Sequence, residues 1–177
     1  MKLIVGLGNP GKEYINTRHN IGWMFLQYLE NKYNFKIFKK ALDSNIVETN
    51  LFNQKVVFAK PQTYMNLSGN AVQKLKKWYK LDNSDIVIIY DDIDISFGTT
   101  RYRECGSGGT HNGMKNIVQM LSTQDIARIR IGIGGIKHDN QDLINFVLEK
   151  FNKEQLDVLQ NNIFVDVEEK LKIFLDK

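Results

Sequence analysis

One histidine, one carboxylate and a set of asparagines are the residues of this chain best suited to chemistry. His19 lies in a polar stretch, Asp91 follows the apolar run IVIIY at 86–90, and Asn9 follows KLIVGL at 2–7. Asn66 comes just after Pro61, and Asn112 comes after a glycine-rich loop at 106–109. Histidine titrates at about 6.5, so its neutral form can take a proton from water at pH 7. A carboxylate that accepts the other ring N–H fixes the tautomer and stabilises the imidazolium, a role that suits Asp91. Asparagine amides are uncharged donors for a carbonyl oxygen that gains negative charge. Losing one such donor costs roughly 10²–10³ in rate, and general-base help adds about 10²–10⁴. Taken singly, each asparagine also reads as a turn or cap residue and His19 as a surface histidine. The set gains meaning only if it converges, and the carboxyl ends of strands in an α/β sheet share one edge where sites form.

Other motifs point elsewhere and fail. Gly6-x-Gly8-x-x-Gly11 after a strand has the spacing of a dinucleotide fingerprint, but Pro10 precedes the last glycine and no helical period follows at once. The loop from Gly108 to Gly113 has the glycine spacing of a phosphate loop, yet Lys115 comes one residue late and no Ser or Thr follows it. Cys105 stands where a nucleophile elbow needs its first glycine. The three histidines are scattered at 19, 111 and 138, and Asp91, Asp92 and Asp94 lack calcium-loop spacing, so no metal is expected.

The elements that must position these groups are legible from periodicity. Ile21, Met24, Phe25, Tyr28 and Leu29 mark a helix over 21–33 with Asn20 at its cap position. Runs at 45–51 and 55–59 form a hairpin that ends at Pro61, and a helix over 69–80 turns Val72, Leu75 and Tyr79 inward and its lysines outward. Residues 86–90 read as a strand buried on both faces. Residues 99–103 alternate like a strand, and Met114, Ile117, Val118 and Leu121 mark a helix. RIRIGIG at 128–134 puts Ile129, Ile131 and Ile133 on one face, and a polar loop at 135–140 leads to a helical C-terminus. Strands alternating with helices predict a single α/β domain over 1–177, with a mixed, mostly parallel twisted sheet flanked by helices.

Composition bounds the setting. The chain has 177 residues, 42% of them hydrophobic, which is ample for a folded core and excludes wholesale disorder. One cysteine, Cys105, makes no internal disulfide, and KLIVGLG at the N-terminus reads as a strand rather than a secretory leader. The expectation is a cytoplasmic protein with no membrane segment. Net charge is +4, a mild excess whose placement matters more: Lys74, Lys76, Lys77 and Lys80 interleave with Trp78 and Tyr79, and Arg101, Arg103, Arg128 and Arg130 gather near the middle.

Four segments in order give a resemblance. GLGNPGKEYINTRHNIG (6–22), KPQTYMNLSGNAV (60–72), YDDIDISFGTTRYRECGSGGTHNGMKNI (90–117) and RIRIGIG (128–134) are similar to the signatures of the bacterial-type peptidyl-tRNA hydrolase family. The resemblance implies a monomeric α/β enzyme without cofactor or metal. Its reaction would be hydrolysis of the ester joining a peptide to the 3′ end of tRNA. By that resemblance His19 matches the proton acceptor, Asp91 its carboxylate partner, and Asn9 the residue that separates blocked from unblocked aminoacyl groups. Tyr14, Tyr64, Asn66, His111 and Asn112 match substrate- or tRNA-contacting positions, Met65 an apolar wall, and Arg103 and Arg130 basic residues near the RNA. Two departures stand out: Thr110 where the pattern has glycine, and Gly135-Ile136 where a proline is usual. The competing classes are a protein that holds RNA without cleaving it and another esterase or amidase that uses the same His-Asp pair.

Overall fold

The computed structural model describes residues 1–37, 39–134 and 140–177; the sequence features at 135–139, His138 among them, lie outside them. In chain order the strands are β1 (Lys2–Gly6), β2 (Lys39–Ala41), β3 (Ser44–Leu51), β4 (Gln54–Pro61), β5 (Ile86–Ser96), β6 (Thr100–Arg103) and β7 (Ala127–Gly134). The helices are α1 (Ile21–Tyr33), α2 (Ser68–Tyr79), α3 (Asn112–Leu121), α4 (Asn140–Leu148), α5 (Lys153–Val158) and α6 (Phe164–Leu175). A π-helical turn, Leu159–Ile163, joins the last two.

The strands make one seven-stranded sheet in the order β2-β3-β4-β1-β5-β7-β6. Its centre, β4-β1-β5-β7, is parallel, while β2-β3, β3-β4 and β6-β7 pair antiparallel. Following those directions through the hairpin, β2 also points with the centre, so only β3 and β6 run against the rest. The mixed sheet is therefore the expected one, and β2 is an addition that the short KKA segment did not announce.

Both faces are covered, so successive central-strand residues enter two cores. Val87 and Ile89 of β5 pack with α1 and α6, among them Phe25, Leu26, Phe164 and Leu171. Ile86, Ile88 and Tyr90 pack with α2 and α3 through Val72, Leu75, Met114 and Ile117. The isoleucines of β7 all join the first core, which leaves Arg128 and Arg130 on the opposite face. The strand read over 86–90 continues to Ser96, because the acidic residues past Tyr90 still pair with β7, with a register shift between Asp92 and Ser96.

The entry of α1 onto the sheet decides where the site forms. A Cβ added to Gly22 would lie 2.4 Å from Ile89 O and 2.5 Å from Leu7 N, and one added to Gly6 would lie 2.4 Å from Gly22 O. Two bare glycines let the first turn of α1 seat directly on the end of β1 and on β5 at Ile89. The residues just before that turn, His19 and Asn20, are thereby delivered to the strand ends. Gly22→Ala is expected to destabilise the protein by about 1–3 kcal/mol, since backbone atoms must move to admit the methyl group. Thermal unfolding of the variant checks this, and an unchanged melting temperature would show that the contact relaxes freely.

Candidate active site

Asp91 stands where the buried part of β5 ends, and only 2% of its surface is exposed. Two imidazoles converge on it. His19 Nδ1 lies 3.0 Å from Oδ1 and 2.9 Å from Oδ2, and His111 Nε2 lies 2.9 Å from Oδ1. The two rings are 4.8 Å apart. Residues 72 and 20 positions from Asp91 in the chain thus share one carboxylate.

The tautomers follow from the partners. His111 is the N-cap of α3, and its Nδ1 accepts the Met114 N–H at 3.1 Å. Its proton must therefore sit on Nε2, which donates to Asp91. With an N–H on Nδ1 facing the carboxylate, His19 keeps Nε2 as a bare acceptor. The electrostatics agree. Burial alone lowers the pKa of His19, but the charge and hydrogen bond of Asp91 overturn this, leaving it raised above the ordinary 6.5. Burial dominates at His111 and lowers its pKa, keeping that ring neutral. Burial likewise opposes ionisation of Asp91, yet the two histidines hold it well below the usual carboxylate range.

These three groups are also the one set among the described residues that resembles a metal site, their donor atoms lying within 4.8 Å of one another. Each ring, however, already directs a nitrogen at the carboxylate. With Nδ1 of His19 and Nε2 of His111 both on Asp91, the three groups form one hydrogen-bonded cluster.

The turn that carries His19 is anchored from outside. Thr17 is fully buried and its hydroxyl donates to Tyr14 O at 2.8 Å. Arg18 lies 3.9 Å above the Phe146 ring, donates to Phe146 O at 3.0 Å and pairs with Glu149 at 2.8 Å. The Arg18 N–H donates to Glu149 O, and the Phe151 N–H to Asn16 O. The end of α4 and the residues after it thus hold the turn.

Asn20 takes the cap position of α1 without capping it. Its side chain turns back to Asn9 instead, accepting the Asn9 N–H at 2.8 Å and donating to Asn9 O at 3.0 Å. Asn9 Oδ1 in turn accepts the Met65 N–H at 2.7 Å, which leaves Nδ2 as the donor it can offer. Met65 is buried, and its sulfur occupies the space a side chain on Gly113 would need. Asn9 and Met65 are thus joined, and Met65 reaches the first turn of α3.

A cleft of about 350 Å³ opens beside this group. Its walls include His19, Asp91, His111, Asn112, Arg103 and Arg130, with Ile93, Leu143, Ile144 and Val147 forming an apolar side. Arg130 pairs with Asp92 at 3.1 Å. Of the expected site residues, Tyr14, Tyr64, Asn66, Asn9 and Met65 do not line this cleft. Tyr64 and Asn66 are exposed on the segment that presents Met65, and Tyr14 is half-buried in the turn before Thr17. His111 was expected to meet substrate or RNA. Both its ring nitrogens are engaged inside the protein, with Asp91 and the Met114 N–H, while the ring still lines the cleft.

Three residues escape the sequence reading: Asn20 as the clamp on Asn9, His111 as the second donor to Asp91, and Arg128. The last is 2% exposed and lines the cleft. The position of His111 immediately before a helix was the one available signal for its capping role.

Comparison with known proteins places the chain. Residues 3–177 match the family model described as peptidyl-tRNA hydrolase. A peptidyl-tRNA hydrolase of Clostridium botulinum (strain Eklund 17B / Type B) is 47% identical over 175 residues, 97% of this chain and 90% of that one. One of Finegoldia magna is 43% identical over 173 residues, 98% of this chain and 90% of that one. The crystal structure of the peptidyl-tRNA hydrolase of Acinetobacter baumannii superposes with a TM-score of 0.86 at 31% identity, covering 99% of this chain and 93% of that one. By sequence along nearly its whole length, and by fold, the chain belongs to the peptidyl-tRNA hydrolase family.

Proposed function

We propose that this protein hydrolyses the ester between the peptide and the 3′ end of peptidyl-tRNA, with His19 as general base and without a metal. The observation that carries the reading is the His19–Asp91 contact with His19 on a cleft wall and its Nε2 free among the described residues. His19 Nε2 takes a proton from water while Asp91 stabilises the resulting imidazolium. The oxygen of that water attacks the ester carbonyl, and the oxyanion collapses by expelling the ribose 3′ oxygen. The imidazolium returns a proton to the departing oxygen, giving a free peptide carboxylic acid and a tRNA hydroxyl.

The amide donors of Asn9, Asn66 and Asn112 hold the peptide end and share the oxyanion, with Met65 as the apolar wall and Tyr14 and Tyr64 as contacts to the substrate. An acylated amine is read as an amide. A free aminoacyl-tRNA brings an ammonium that neutral donors pair with poorly. RNA phosphates meet Arg103 and Arg130 on the cleft wall. Lys76 and Lys77 in the last turn of α2 and Lys80 just past it, about 12–18 Å along the axis from the first residue of the helix, extend this surface. We further propose that the protein acts as a cytoplasmic monomer. No helix among the described residues is long and apolar enough to cross a membrane.

Purified protein is expected to release tRNA rapidly from N-acetylated aminoacyl-tRNA and slowly from free aminoacyl-tRNA, with EDTA having no effect. Binding without release would reduce the protein to an RNA holder. His19→Ala is expected to lower turnover at least about 10²-fold while tRNA is still bound; undiminished turnover would remove His19 from its role. Because the neutral ring is the base, kcat/KM should climb with pH through the pKa of His19, its acid limb centred above the ordinary 6.5. Asp91→Asn removes the charge that raises this pKa, so the limb should move to lower pH as the plateau falls. A limb that stays put would separate the two groups. Neutralising Lys76, Lys77 and Lys80 should reduce the salt slope of tRNA binding by up to about three, one for each phosphate left without its lysine. An unaltered slope would make these lysines a plain solvated surface.

A further inference from the structure

Strands β6 and β7 place like charges directly opposite each other: Arg101 faces Arg130, and Arg103 faces Arg128. Such pairs oppose strand pairing. Arg101 and Arg103 escape into water, and Arg130 finds Asp92. Arg128 does neither. It is buried, without a carboxylate partner among the described residues, and its guanidinium donates to three backbone carbonyls: Ser107 O at 2.6 Å, Gln124 O at 3.2 Å and Ile126 O at 3.2 Å. A desolvated charge offset chiefly by carbonyl dipoles is an expensive way to fill space, and an apolar side chain would pack there at less cost.

What those carbonyls belong to is informative. Ser107 lies in the glycine loop, whose Gly106 N–H donates to the same Gln124 O. Gly108 rests so closely on Lys115 that an added Cβ would lie 2.6 Å from its backbone, and Gly108 O accepts the His111 N–H. On the other side, the Tyr90 ring packs 4.8 Å from the His111 ring, and Arg128 acts electrostatically on the Tyr90 hydroxyl. Arg128 therefore braces His111 through the loop that precedes it and through the ring that backs it.

We propose that Arg128 is a positioning residue that holds His111 on Asp91 and so sets how strongly Asp91 acts on His19. This rests on the reading of His19 as the base. The groups that face His111 are Asp91, His19, Asp92 and Tyr90, and those that face His19 are Asp91 and His111. When His111 leaves Oδ1, Asp91 loses one of its two side-chain donors and its charge acts on His19 alone. His19 then titrates at higher pH.

The test is an NMR titration of the histidine rings in the whole protein, comparing wild type, Arg128→Met, Arg128→Lys, His111→Asn and the double variant Arg128→Met/His111→Asn. The expected result is an upward shift of the His19 midpoint by roughly 0.5–1 unit in Arg128→Met. A shift in the same direction is expected in His111→Asn, with little further change in the double variant. Arg128→Lys keeps the charge but loses the three-way fork, and should give a smaller shift; it also serves if the methionine variant does not fold. A His19 midpoint that stays at the wild-type value in both Arg128 variants overturns the proposal, as does full additivity with His111→Asn. If the Arg128 variants instead lower the salt slope of tRNA binding by about one with His19 unmoved, Arg128 is a phosphate contact. Hydrolysis by the wild-type protein is scored separately: its absence would sink the enzymatic reading, while the titration would still decide whether Arg128 governs His19.

Discussion

A buried carboxylate shared by two imidazoles is the constraint around which this molecule is arranged. Asp91 has left water almost completely, and an ion in that position survives only if donors replace the lost hydration. Two ring N–H groups do so, from opposite directions along the chain. One belongs to a turn that must arrive before α1, the other to the cap of α3. The two imidazoles are not equivalent. His111 is locked as a neutral donor by the helix it caps, and among the described residues His19 is left with one nitrogen unclaimed.

The same economy of close contacts governs the neighbouring polar residue. Asn9 leaves β1 with backbone groups that have no strand to pair with, and the Asn20 side chain stands in for one by satisfying both N–H and C=O. Its own amide oxygen is then taken by Met65. What remains is the Nδ2 amino group, whose direction is fixed by three hydrogen bonds that do not involve a ligand. Such preorganisation is what a group meeting developing charge requires, because nothing has to reorient as the charge appears.

Much of this was legible in the sequence. Helical and strand periods gave α1, the β3–β4 hairpin, α2, the core of β5 and β7 nearly to the residue, because apolar spacing is a local property. The meeting of His19 with Asp91 could be anticipated from residue types and strand ends, and the family signatures sharpened it. The bond of His111 to Asp91 and those of Asn20 to Asn9 could not, since both residues fit a conventional capping position and these partners come from distant segments. Arg128 looked like one more surface cation in an alternating strand. Its burial depends on a loop folding over it, and no pattern within β7 encodes that.

The anchoring of the His19 turn has a mechanical corollary. Arg18 stacks on Phe146 and bonds to the end of α4, while Leu143, Ile144 and Val147 of the same helix form the apolar side of the cleft. One wall of the cleft and the turn that carries His19 thus share their anchors. Displacing that helix would therefore either break the stack and hydrogen bonds of Arg18 or carry the turn before α1 along with it.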